Sequence, residues 1–184
     1  MKKYLYLVIV STSLIFTSCG NGKTYFTPAI RNKIESNSIQ LTAVQYYVDR
    51  NIELTRVLES GQTHVTAGTI KFENGQYINV IQLKKFTPGV CTMVTPNTLS
   101  ISFEVGNNTY INFGRTRAGT IDDPYRILAD SWVSDYGLIT YEGKQYHIDQ
   151  GGNAGILITT KWLTTKKVDV REMKGRTVDG TTPK

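Results

Sequence analysis

From Ile39 onward, apolar and polar residues alternate with a period of two, and almost no stretch carries the period of a long amphipathic helix. Ile39, Leu41 and Ala43 alternate with Gln40 and Thr42, then the phase slips and Val44, Tyr46 and Val48 take up the apolar parity. A one-residue slip swaps strand faces, so a bulge is expected near Ala43–Val44. Asp49-Arg50-Asn51 reads as a tight reversal into Ile52, Leu54, Arg56 and Leu58. Glu73-Asn74-Gly75 stands between two β-rich runs, and Asn-Gly in that place predicts a hairpin because both residues tolerate positive φ. Leu99, Ile101, Phe103 and Val105 alternate with Ser100, Ser102 and Glu104, which predicts a half-buried strand. Glu142-Gly143-Lys144 predicts another hairpin turn, and Gly151–Gly155 a hairpin loop leading into Ile156–Trp162. The interval Ala129–Gly137 has room for a short helical turn. About eleven short strands separated by turn signals imply an all-β fold, a single antiparallel β-sandwich or barrel-like domain.

The first twenty residues depart from this pattern. Met1-Lys2-Lys3 precedes a largely apolar run, Tyr4–Phe16, which Ser11, Thr12 and Ser13 dilute and which is short of the ~20 apolar residues of a membrane span. Small residues then lead to Cys19. A basic start, a short apolar stretch and small residues read as a removable export signal. The cysteine directly after them resembles the lipobox of bacterial lipoproteins, in the relaxed form found in the Bacteroidota, with Phe16 where Leu is common.

That resemblance implies a signal peptide over residues 1–18 and a diacylglyceryl (and then acylated, palmitate-type) Cys19 as the first residue of the mature chain. It further implies anchoring in the cell envelope at the outer membrane, facing the periplasm, since Gly20-Asn21-Gly22-Lys23 lacks the acidic residues associated with surface display. Two or more acyl chains anchor a protein stably, so the domain needs no membrane-binding surface of its own. Residues 19–38 are expected to be a tether, with at most one helical turn at Asn32–Ser38, because Gly20–Thr24 favours coil and Pro28 discourages regular structure. The alternative is an arm packed on the domain through Tyr25, Phe26 and Ile30. The β-rich domain is expected over 39–174, with a last edge strand at Val168, Val170 and Met173, and a disordered tail over 175–184.

The formal charge of +6 is unevenly placed. Basic and acidic residues balance between Cys19 and Thr160, whereas the last part, from Lys161, sets seven basic residues against Asp169, Glu172 and Asp179. A neutral body argues against nucleic acid as partner, because phosphate binding needs a concentrated basic face. With Cys19 committed to lipid, Cys91 has no intrachain partner, and its place in an apolar strand predicts a buried thiol.

Candidate chemistry is sparse. His64 and His147 have no metal-ligand spacing and read as sheet or surface residues. Asp122, Asp123, Asp130 and Asp135 do not match the ligand pattern of a calcium loop, and Asp122-Asp123-Pro124 reads as a turn. Gly151–Gly155 joins strands and lacks the Lys-Ser/Thr of a phosphate loop. Neither a metal nor a cofactor is expected, and no local signature supports catalysis. Eleven tyrosines against six phenylalanines are the unusual feature. Tyr46, Tyr47, Tyr77, Tyr110, Tyr125 and Tyr141, with Tyr146, would line a binding face if they shared one, or pack across strands if they did not. The expected function is therefore a non-catalytic interaction or assembly subunit of an envelope complex, with a protein partner. The alternative is a lipoprotein that binds a glycan or small molecule through its tyrosines.

Overall fold

The computed structural model describes residues 22–59, 68–115, 119–134 and 136–164. They form thirteen strands in two wholly antiparallel sheets, neither of which closes on itself, so the all-β expectation holds. The seven-stranded sheet has the order β1 (Lys23–Tyr25), β13 (Ile156–Thr159), β2 (Gln45–Val48), β6 (Pro88–Val94), β7 (Thr98–Ser102), β8 (Tyr110–Gly114) and β9 (Arg126–Ile127). The six-stranded sheet has the order β10 (Ser131–Val133), β11 (Tyr136–Tyr141), β12 (Lys144–Gln150), β3 (Ile52–Val57), β5 (Gln76–Leu83) and β4 (Thr69–Glu73). Alternation puts Ile52 and Leu54 of β3, Ile139 and Tyr141 of β11, and Tyr146 and Ile148 of β12 on one face. They join Leu99, Ile101, Ile111, Phe113, Ile156 and Ile158 of the other sheet in a single apolar cluster. Among the described residues no helix is long and apolar enough to cross a membrane.

Two turns form as expected. Asn74 and Gly75 have φ of 48° and 80°, and Glu142 and Gly143 have φ of 51° and 72°. Positive φ at both central residues matches the right-handed twist of the strands they join, β4 with β5 and β11 with β12. The other two reversals are not hairpins. Asp49-Arg50-Asn51 carries the chain from β2 in one sheet to β3 in the other, and Gly151–Gly155 carries it back from β12 to β13. The phase slip is not a bulge either. It is a 3₁₀ turn at Leu41–Ala43, whose first carbonyl accepts the buried Tyr46 hydroxyl at 3.0 Å. The observed register breaks lie in β6, between Cys91 and Met93, and in β12, between Ile148 and Gln150. The interval expected to hold a helical turn contains β10, paired with β11.

The expected tether of residues 19–38 is part of the fold from Lys23 onward. β1 pairs with β13, and Phe26, fully buried, lies edge-on to Tyr46 at 5.5 Å and to Tyr125 at 5.0 Å between ring centroids. A helix, α1 (Pro28–Ser36), follows in place of a single turn. Pro28 starts that helix, because its fixed φ suits the first helical position and its missing N–H is not needed there. Thr27 caps it, its hydroxyl accepting the Ile30 N–H at 3.2 Å. Arg31 then reaches inward to the carbonyls of Thr95 at 2.8 Å and Pro96 at 3.0 Å, and Ile34 is fully buried. Lys161–Thr164 forms a short helix, α2, the last element among the described residues. The expected signal at 1–18, Cys19, the edge strand at Val168–Met173 and the tail at 175–184 lie outside the described residues.

Candidate functional site

The sheets leave an opening between them, a cavity of about 290 Å³. Ile52 and Leu54 of β3 and Ile81 and Leu83 of β5 line it from the six-stranded sheet, together with Ile111 of β8 and Phe103, which directly follows β7. Glu104 and Tyr141 contribute polar groups to its lining, as do Gln82, Lys84 and Thr87. Largely apolar walls with a few placed polar groups are the usual make-up of a small-ligand site.

Glu104 follows β7 in a turn that hydroxyl groups hold in place. Its carbonyl accepts Ser102 Oγ at 2.6 Å and Thr109 Oγ1 at 3.2 Å, and Thr109, itself buried, also bonds the Gly106 carbonyl at 3.1 Å. The Glu104 carboxylate accepts a hydrogen bond from the buried Tyr141 hydroxyl. Burial pushes the Tyr141 phenol well above the ordinary tyrosine range, and the Glu104 hydrogen bond and charge push it further. The phenol is therefore a fixed donor at neutral pH, while the carboxylate keeps lone pairs for a second partner. Chemically the arrangement suits a molecule with an apolar body and one cationic or hydrogen-bond-donating group. Glu104 and Tyr141 are 37 positions apart, one in the turn after β7 and the other at the end of β11 in the six-stranded sheet. No sequence signal singles out Glu104, and Tyr141 could be found only as one tyrosine among many.

The tyrosines weighed from sequence do not gather on one surface. Tyr46, Tyr125 and Tyr141 are buried, as is Tyr146, whose hydroxyl donates to Asn79 Oδ1 at 2.7 Å. Tyr125 accepts from Arg31 Nη1 at 3.2 Å. Tyr47 and Tyr110 are half-buried, and Lys23 Nζ lies 4.6 Å from the Tyr47 ring centroid. Tyr46 and Tyr47 do point to opposite sides of β2, as the alternation requires. Tyr77 is exposed beside Phe72, with centroids 5.0 Å apart, on the β4–β5 hairpin. The structure thus brings together Tyr46 with Tyr125 around Phe26, and Tyr141 with Tyr146 at 6.4 Å, both inside the core.

The other candidates fall into local roles. His147 is exposed on β12 and meets the Tyr136 ring edge-on at 6.0 Å, while His64 lies outside the described residues. Asp123 accepts the Thr120 N–H within its own turn, and Asp130 accepts the Thr140 N–H at 2.7 Å. Asp135 lies outside the described residues. Of the glycine-rich segment, the Gly155 N–H donates to the Asp49 carboxylate at 2.8 Å. Cys91 is buried as expected, its thiol donating to the Met93 carbonyl at 3.4 Å, and burial pushes its pKa up to about 11. Comparison of the chain with protein-family models, curated proteins and solved structures found no match.

Proposed function

We propose that this chain is a lipoprotein of the cell envelope, held at the outer membrane and facing the periplasm through lipid on Cys19, and that its domain is a non-catalytic binding module. In this reading the two sheets pack as a sandwich, and the opening between them takes a small, mainly apolar ligand bearing one cationic or donor group. The observation that carries it is the hydrogen-bonded Tyr141–Glu104 pair in the lining of a largely apolar cavity. The ligand-binding role thereby moves from a tyrosine-lined sheet face to the space between the sheets. The test is to purify the chain from its own envelope and identify small molecules released on denaturation by mass spectrometry. A molecule retained by the wild type and lost from Glu104→Gln supports the reading. An empty wild-type protein whose thermal stability no apolar amine or amide raises counts against it.

A second reading, an assembly subunit of an envelope complex, has its own support. Trp132, Val133 and Tyr136 are each more than half exposed at one edge of the six-stranded sheet, and Phe72 and Tyr77 are so at the other. Exposed aromatic residues at sheet edges suit a protein partner better than a dissolved ligand. Mild-detergent affinity purification, with Cys19→Ala as control, separates the two. Reproducible co-purifying envelope proteins favour the subunit, and a protein recovered alone favours the ligand.

A further inference from the structure

The end of the domain nearest the N-terminus carries a group of features that the cavity does not use. Lys23 is four residues after Cys19, and an extended chain spans at most ~3.6 Å per residue, so this end stays within about 14 Å of an anchored cysteine. Phe86 sits in the turn between β5 and β6 and is 49% exposed, with φ of 66°. A bulky L residue rarely adopts that left-handed conformation. Here it is imposed from three directions. The Lys85 N–H donates to Asn51 Oδ1 at 2.8 Å, the Phe86 N–H to the Val48 carbonyl at 2.8 Å, and the Thr87 N–H to the Lys84 carbonyl at 3.1 Å. A strained conformation that its surroundings hold in place, with a wet aromatic ring as the result, points to a use for the ring.

Cations surround it. Lys85 Nζ lies 4.7 Å and Lys23 Nζ 5.3 Å from the Phe86 ring centroid. Beside them Arg126 lies over the Tyr25 ring at 5.7 Å, and Arg50 is paired with Asp49 at 3.0 Å. Asp49 offsets part of this charge, pairing with Arg50 at 3.0 Å and lying 3.9 Å from Arg126, so Lys23 and Lys85 carry most of the positive charge that this face presents to solvent. Glu53, the acid in the groove beside Lys85, is held by Gln82 at 2.7 Å.

We propose that this face, Lys23 and Lys85 around Phe86, rests against anionic phospholipid headgroups. The proposal depends on the reading of Cys19 as a lipid anchor and adds to it an orientation. Lysines beside an anionic surface take up phosphate contacts, and an exposed aromatic ring between them sits at the boundary of headgroup and acyl chain. The domain then stands on the membrane with the β11–β12 turn, including Lys144, at the far end of the strands.

Amine-reactive footprinting of the lipidated, full chain purified from the envelope tests it. The protein is reconstituted into vesicles of phosphatidylcholine alone or with added phosphatidylglycerol. Lys23 and Lys85 should label roughly fivefold more slowly in the anionic vesicles. High salt should remove that protection, and Lys144 should label equally in both. Phe86→Gly keeps the turn and removes the ring, so it should weaken the protection of Lys85. Equal labelling in both vesicle types, with acyl chains found on Cys19 by mass spectrometry, overturns the docking face and leaves the anchor standing. Protection that appears only on adding an acidic envelope protein overturns it in favour of a protein contact. A chain purified without acyl groups overturns the anchor, and the orientation with it.

Discussion

Asp49 and Gly155, 106 positions apart, are bonded twice. The Gly155 N–H donates to Asp49 Oδ1 at 2.8 Å, and the Asp49 N–H donates to the Gly155 carbonyl at 2.9 Å. The pair locks the corner where the chain leaves the seven-stranded sheet to the loop where it returns. The same carboxylate accepts the Tyr25 hydroxyl at 3.1 Å and Arg50 Nε at 3.1 Å, so the N-terminal strand is fastened at one point with both crossings.

Burial by itself would raise the pKa of Asp49, but the hydrogen bonds from Arg50, Gly155 and Tyr25 outweigh it and hold the carboxyl below its ordinary value. A pKa lower in the folded chain than in the unfolded one means that the contribution to stability is complete above the unfolded pKa of about 3.9. It is lost as pH falls from there through the folded value. Asp49→Ala should cost about 2–3 kcal/mol at pH 7, since it strands a buried N–H, and Asp49→Asn should cost less because an acceptor remains. Urea unfolding at pH 7 and at about pH 2.5, below the unfolded pKa, measures both. The difference between wild type and either variant should shrink toward low pH, and a constant difference would show that the charge contributes nothing.

Phe26 tests the role of the N-terminal arm. A fully buried ring between two tyrosines should cost about 3–5 kcal/mol when cut to alanine. Deleting Lys23–Ser36 should cost more, because it also removes the β1–β13 pairing and Arg31's bonds to Thr95 and Pro96. Chemical denaturation of the two variants decides the matter. An arm that served only as a tether would leave both midpoints unchanged.

What was legible in the sequence was local. The period of two marks strands, and Asn74-Gly75 and Glu142-Gly143 mark hairpins, because a two-residue turn carries its own backbone requirement. Asp49-Arg50-Asn51 and Gly151–Gly155 look the same from a distance, yet both cross between sheets, and the Asp49–Gly155 bonds that hold them are not encoded near either one. Pro28 was ambiguous for a similar reason. It breaks a helix from within and starts one from its first turn, and only the Thr27 cap and the burial of Phe26 and Ile34 decide which. The tyrosines stay undecided between a binding face and cross-strand packing at the level of sequence, because composition counts rings without giving a register. The cavity was invisible because Glu104, in the turn after β7, and Tyr141, at the end of β11, are brought together only by the tertiary fold.

Cys91 should be chemically quiet. With its pKa pushed up to about 11, only roughly one thiol in a thousand is ionised at pH 8, and the side chain is 6% exposed. Alkylation by iodoacetamide, followed on the peptide containing Cys91, should be orders of magnitude slower in the native protein than in urea. Rapid labelling of native Cys91 at pH 8 would mean that β6 opens readily.

The buried phenols set the alkaline limit. Desolvation is the largest cause lifting Tyr46 and Tyr141 far above the ordinary pKa of 10, with Cys91 adding to the first and Glu104 to the second. Between pH 10 and those raised values the unfolded chain has released two protons that the folded chain keeps. The stability these groups contribute is therefore complete below about pH 10 and is lost as pH rises beyond it. Tyr46→Phe with Tyr141→Phe should cost about 1–2 kcal/mol at pH 8 through the hydrogen bonds to Leu41 and Glu104. The same variant should flatten the decline above pH 10, so that its curve of stability against pH converges on that of the wild type. Absorbance at 295 nm supplies the complementary measurement. Two tyrosines should ionise only when the protein unfolds, and a native chain that titrates all of them near pH 10 would place both hydroxyls in water.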